Sequence, residues 1–145
     1  MVRLEPIGPD NWREELTVRE EQRRFVSDPN RLLARAYAYR GQRSQAKLIR
    51  QRDIPVGMLM YFDWLERGQY VFSQLFIDRR YQGRGLGTAA ARLALDEMRA
   101  DGRFEKVCLC YVEGNESARL LFETLGFRPT GEADGDEVIM VLDHL

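Results

Sequence analysis

The chain has 145 residues, enough for one compact domain around a single hydrophobic core. It is 44% hydrophobic and 31% charged, with a formal net charge of -1, so bulk attraction to nucleic acid or to an anionic membrane surface is excluded. No apolar run is long enough to span a bilayer and the first ten residues lack a signal-peptide core, so the expectation is a cytoplasmic protein with one domain over residues 1–145.

In chain order, Val2 to Ile7 reads as a first strand. Pro9 and Asp10 open an amphipathic helical stretch to about Val26, which Asp28-Pro29-Asn30 breaks before a second helix over Arg31 to Tyr39. Strands follow at Ala46 to Gln51, Val56 to Phe62 and Tyr70 to Ile77, separated by the turns Asp53-Ile54-Pro55 and Glu66-Arg67-Gly68. In the middle strand Val56, Met58, Met60 and Phe62 are expected on one face. Consecutive strands without intervening helices predict an antiparallel meander.

Thr88 to Ala100 reads as a helix with the core-facing stripe Ala91, Ala94, Leu95 and Met98, stopped by Gly102. Val107 to Val112 is apolar on both faces, as a central strand should be. Its Cys108 and Cys110 are read as small buried hydrophobes on one face. With His144 as the single histidine, no metal-ligand set is in view. Asn115 suits the cap of a helix over Glu116 to Leu125 that buries Ala118, Leu121, Phe122 and Leu125. Strands at Arg128 to Ala133 and Glu137 to Leu142 flank the hairpin signal Asp134-Gly135.

The chemistry-bearing segment is Leu75-Phe76-Ile77 followed by Gln82-Gly83-Arg84-Gly85-Leu86-Gly87-Thr88, a strand, a glycine loop and a helix start. The glycines let the backbone turn sharply and let an anion approach the amides of Gly83 to Thr88. The helix N-terminus adds partial positive charge and Arg84 a full one, together a phosphate or pyrophosphate site. A P-loop is excluded because no Gly-Lys-Ser/Thr follows at its spacing. A dinucleotide fingerprint is disfavoured because Thr88 stands where its last glycine belongs, after a meander rather than a parallel unit.

This loop, with Gln82, Gly85 and Gly87 matching Gln/Arg-x-x-Gly-x-Gly/Ala, together with the element order and Asn115, resembles the GNAT acetyltransferases. Within them the chain is similar to bacterial spermine/spermidine (diamine) acetyltransferases, through Phe76-Ile77-Asp78, Tyr81-Gln82-Gly83, Glu20-Glu21-Gln22, Phe25-Val26 and the ending Gly131 to Val141. The resemblance implies an α/β (α+β) fold with a mixed, mostly antiparallel sheet flanked by helices. It implies acetyl-CoA as cofactor and N-acetylation of a primary amine, with spermidine-like polyamines as one acceptor class. A protein amine acetyltransferase and a CoA-binding module without catalysis stay open, as does a homodimer.

For the cofactor, the resemblance assigns the backbone of Leu75, Phe76 and Ile77 to the pantetheine amides. It assigns Gln82 through Thr88 to the pyrophosphate, and Asn115 and Phe122 to the pantetheine arm and its sulfur end. Glu21, Phe25, Tyr61, Asp63 and Trp64 are candidates for an acidic and aromatic acceptor wall. Two departures stand out. Family polyamine enzymes can carry an acidic residue on the strand before the loop, and Phe72-Ser73-Gln74 has none. Where many members have a proton-donating tyrosine, this chain has Phe122, which has no proton to give. The general base is unassigned, with Asp78, Glu113 and Asp63 as candidates.

Overall fold

Apolar residues on both faces of successive strands need cover on two sides, and the chain supplies it with helices. The computed structural model describes residues 1–26 and 28–145. Its strands are β1 (Val2–Pro6), β2 (Gln45–Gln51), β3 (Ile54–Trp64), β4 (Gln69–Ile77), β5 (Lys106–Val112), β6 (Arg128–Asp134) and β7 (Glu137–Leu142). They form one sheet in the order β1-β2-β3-β4-β5-β7-β6, antiparallel except between β4 and β5. The α-helices among the described residues are α1 (Pro29–Ala38), α2 (Leu86–Asp101) and α3 (Glu116–Thr124). None is long and apolar enough to cross a membrane.

The two faces of the sheet carry separate cores. On one, α2 buries Leu86, Ala90, Ala91, Ala94, Leu95 and Met98 against Ile49, Leu59, Tyr70, Phe72 and Leu109. On the other, Leu32 of α1, with Leu16 and Val18, covers Leu48, Met58, Met60, Phe62 and Phe76. Alternation along β2 and β3 assigns neighbouring residues to opposite cores. Val56 departs from the expected face. Ile49 pairs with Gly57 and Arg50 with Pro55, so Val56 is an extra residue in a bulge and joins the α2-side core.

The first third needs a larger correction. The stretch from Pro9 to Val26 is not a helix; it contains turns, an extended run and one 3-10 turn at Glu20–Gln22. Tertiary hydrogen bonds pull Thr17 out of any helical ladder. Its amide donates to the Asp78 carboxylate at 3.0 Å and its carbonyl accepts from the Arg79 amide at 2.8 Å. Leu16 and Val18, two apart, both turn into the core, a strand-like rather than helical spacing. Helix α1 then starts earlier than expected. Asp28 caps it by accepting from the Arg31 amide at 2.8 Å, and Pro29 occupies its first turn, where proline costs no hydrogen bond.

Cys108 is half-buried and Cys110 exposed, against the expectation that both are buried. Their face of β5 opens onto a cleft. For the same reason α3 fully buries Phe122, while Ala118, Leu121 and Leu125 are half-buried at the edge of the core.

Candidate functional site

Parallel pairing between β4 and β5 lasts for three residue pairs: Gln69 with Lys106, Tyr70 with Val107 and Val71 with Cys108. Beyond them the strands part. A cleft of about 750 Å³ opens, with Phe72 to Ile77 on one side and Leu109 to Val112 on the other. From Phe72 onward β4 keeps β3 as its neighbour, so its other backbone edge faces the cleft. A bulge sits where the parting begins. Tyr61 pairs with Phe72 and Met60 with Gln74, leaving Ser73 extra. Arg35 of α1 donates from Nε to the Ser73 Oγ at 2.7 Å, fixing the bulge from the far face.

The glycine loop closes one end of this cleft. Gly83 and Gly85 have φ of +79° and +76°, and a Cβ on either would meet nothing within 4 Å. The backbone there is bare and faces open space. Gly85 caps α2 in the left-handed conformation without a side-chain hydrogen bond. The Ala89 amide finds the Gly85 carbonyl at 3.1 Å, and helix geometry leaves the amides before it free. That is the donor set an anion requires. Helix α2 begins at Leu86, two residues before the expected start, because Gly85 already takes the cap conformation.

Gln82 has a more local task. Its side-chain amide donates to the Ile77 carbonyl and to Gln22 Oε1, both at 2.8 Å, tying the loop to the end of β4 and to the first third. Arg84, expected at the site, is exposed and not among the cleft-lining residues; its guanidinium stands 5.9 Å from the ring centre of Tyr81, which does line it. Asn115 lines the cleft and caps α3, accepting from the Ala118 amide at 3.3 Å. Phe122 also lines it, edge-on to Phe72 and Phe127 at centroid distances of 5.7 and 5.5 Å. Leu75, Phe76, Ile77, Gln82, Gly83, Gly85, Leu86, Gly87, Thr88, Asn115 and Phe122 thus lie along one cavity.

The acceptor-wall candidates are divided. Phe25 lines the cleft, with Arg24 stacked 4.5 Å from its ring centre. Glu21, and Glu20 beside it, are exposed outside it. Tyr61, Asp63 and Trp64 stand elsewhere. Tyr61 is buried against α2 and donates to Glu97 at 2.6 Å. Asp63 pairs with Arg43 at 2.6 Å and Arg103 at 3.2 Å. Trp64 stacks under Arg67 at the end of β3. These three hold the closed end of the sheet together.

Of the base candidates, Asp78 is fully buried and accepts from the Thr17 and Arg80 amides and from Arg80 Nε at 2.8 Å. Burial alone would raise its carboxyl. The hydrogen bonds from Arg80 and Thr17 outweigh that and hold it below the ordinary range. Glu113 is exposed outside the cleft. Neither carboxylate lines the cleft.

Cleft residues that the sequence does not mark as such include Arg19, Arg35, Ser73, Cys110, Tyr111 and Glu137. Burial pushes the Tyr111 hydroxyl up, with Arg119 partly opposing it. Burial also carries the Cys108 thiol to about 11 and raises Cys110, so both are thiols at neutral pH.

Residues 8–127 match the model of the Acetyltransferase (GNAT) family. The chain belongs to that family. Over 77 residues this GNAT chain is 31% identical to the spermine/spermidine N(1)-acetyltransferase of Bacillus subtilis (strain 168), covering 52% of the chain and 51% of the relative. The chain therefore spans about half the length of the curated relatives it matches. The GNAT fold itself is closely shared. The spermidine N-acetyltransferase from Vibrio cholerae, solved with CoA and spermine, superposes with a TM-score of 0.78 at 16% identity, over 97% of this chain and 94% of that one. An aminoglycoside acetyltransferase solved with coenzyme A gives 0.77 at 15% identity, over 99% and 95%.

Proposed function

We propose that this GNAT chain transfers the acetyl group of acetyl-CoA to the primary amine of a small molecule, with polyamines such as spermidine as the first acceptor class to test. One observation carries the reading. The edge of β4 that loses its partner at Phe72 leads to a helix N-terminus whose cap brings no side-chain hydrogen bond and which is wrapped by bare glycine backbone. An extended amide-bearing arm ending in a pyrophosphate matches both parts. The relatives named for spermine and spermidine motivate the acceptor class.

The residues divide as follows. Amides of Gly83, Gly85, Leu86, Gly87 and Thr88 hold the pyrophosphate, with Arg84 adding charge at the rim. The free backbone of Leu75, Phe76 and Ile77 pairs with the pantetheine amides, and Asn115 faces the same arm from α3. Acetyl-CoA, when bound, supplies an activated acyl thioester. An N–C bond forms as the C–S bond breaks. The amine loses its proton to water, and water returns one to sulfur, because Phe122 has none to give. Freeing an amine of pKa ~10.4 at pH 7 costs about 4.6 kcal/mol, a cost that proton transfer to water leaves in the barrier.

The test has two readouts. Acetyl-CoA should raise the melting temperature more than NADH or ATP does, as expected for a ligand bound by the folded state. Spermidine and other small amines should then release free thiol. Stabilisation without thiol release across a broad amine panel would favour a binding module. Release with peptide amines alone would favour a protein acetyltransferase.

A further inference from the structure

Charge is sparse and uneven along the cleft. Among the described residues, Arg19 and Arg35 stand on the wall made by the first third and α1, and Glu137, the first residue of β7, supplies the single lining carboxylate. Arg35 is held in place by Ser73. Glu137 is half-buried, and among the described residues its carboxylate has no hydrogen-bond or ion-pair partner. The backbone pairing fixes where it stands. Glu137 lies opposite Val112 in the β5–β7 ladder, and cross-strand partners share a face. Cys110, two residues before Val112, is on that face as well. Burial first, then the charges of Glu137 and of exposed Asp134, raise the Cys110 thiol, while Arg35 opposes them. Glu137 and Arg35 therefore reach one patch from two sides. Leu109, on the alternate face of β5, packs into the α2-side core. The patch accordingly lies on the α1 face of the sheet, opposite the helix that carries the anion site.

We infer that Glu137 seats the cationic end of the acceptor amine, drawing it into the cleft from the α1 face, across from Arg19 and Arg35. It is a binding and specificity-determining residue for the proposed reaction, on which this inference rests. A cation entering here meets one attractive charge, because Arg19 and Arg35 repel it from the facing wall. Glu137 therefore selects where the amine docks as well as whether it does.

The experiment titrates spermidine into the CoA-saturated protein by calorimetry, for the natural chain, Glu137→Gln and Glu137→Asp, with acetyl-CoA kinetics in parallel. Glu137→Gln should weaken spermidine binding by about tenfold or more, the scale of a lost charge-assisted hydrogen bond. Its KM for the amine should rise by a similar factor with kcat changed far less. Glu137→Asp should recover most of the affinity. Stabilisation by acetyl-CoA should be equal in all three, which separates a lost seat from a damaged fold. Equal spermidine affinity in Glu137→Gln and the natural chain would overturn the inference, as would no spermidine binding by the natural chain. Spermidine binding that depends on Glu137 but yields no free thiol would support the seat and overturn the transfer reaction.

Discussion

Strand β4 is two structures in one. Its first three residues are sealed between neighbours on both sides; the rest has a neighbour on one side and a cleft on the other. The sealed end is held by polar closure. The Tyr70 hydroxyl donates to Asp101 and accepts from the Arg103 amide at 3.1 Å. Asp101 and Asp63 are in turn bridged by Arg43. The open end is held from outside the strand, by Arg35 on the Ser73 bulge, by Gln82 on the Ile77 carbonyl and by Asp78 on the first third. A strand can stop pairing without fraying when side chains from other elements take over the anchoring. That difference turns a sheet into a site.

The largest expected effect breaks the open end. Gly85→Glu puts a charged side chain into the open space at a left-handed position. It should abolish stabilisation by acetyl-CoA, a loss of about 2.7 kcal/mol at a ligand concentration of 100 Kd. Thermal melts with and without ligand measure it; a retained shift would place the pyrophosphate elsewhere.

Next comes the anchor between the open end and the first third. Asp78→Asn should cost about 2 kcal/mol at pH 7, since a buried charged acceptor of several hydrogen bonds is replaced by a neutral one. The sign of its pH dependence follows from the lowered carboxyl. The stabilisation is fully present above the ordinary value of 3.8 and is lost as pH falls through the lower folded-state value. Melting curves of the two proteins should therefore converge in acid; a gap that persists or widens there would contradict the assignment.

Tyr70→Phe sharpens the comparison from the sealed end. Losing its hydroxyl leaves the Arg103 amide unpaired and should cost about 1–2 kcal/mol in denaturant unfolding. Affinity for acetyl-CoA should be unchanged. A weakened affinity would mean that the two ends of β4 are coupled.

The smallest effect concerns Phe122, at the boundary between core and cleft. Phe122→Tyr should raise kcat several-fold by offering a proton to the departing sulfur, with acetyl-CoA affinity nearly constant. A drop in melting temperature without a rate gain would show that the ring belongs to the Phe72 and Phe127 cluster alone.

Much of this architecture is legible in the sequence. The meander, the loop, the α2 stripe and the Asn115 cap depend on residues close in sequence, where periodicity and turn chemistry apply. The first third is not legible locally because the bonds that shape it join Thr17 to Asp78 and Arg79, some sixty residues away. Val56 defies the alternation because a bulge shifts the register by one residue and leaves no mark on composition. Glu137 was invisible as a cleft residue for a related reason. Nothing local distinguishes it from the acidic residues of the same hairpin, and only the β5–β7 register brings it to the opening.

The last glycine of the loop differs from the first two. A Cβ on Gly87 would stand 3.2 Å from Leu121 Cδ1 of α3 and 3.6 Å from Ile77 Cγ1 at the end of β4. Both neighbours line the cleft. Gly87 is therefore a spacer set to its minimum thickness, and the aperture beside it is narrow because a methyl group is missing. An alanine there would press Leu121 aside by a few tenths of an ångström, so one methyl group on the loop would resize the entrance through a side chain of α3.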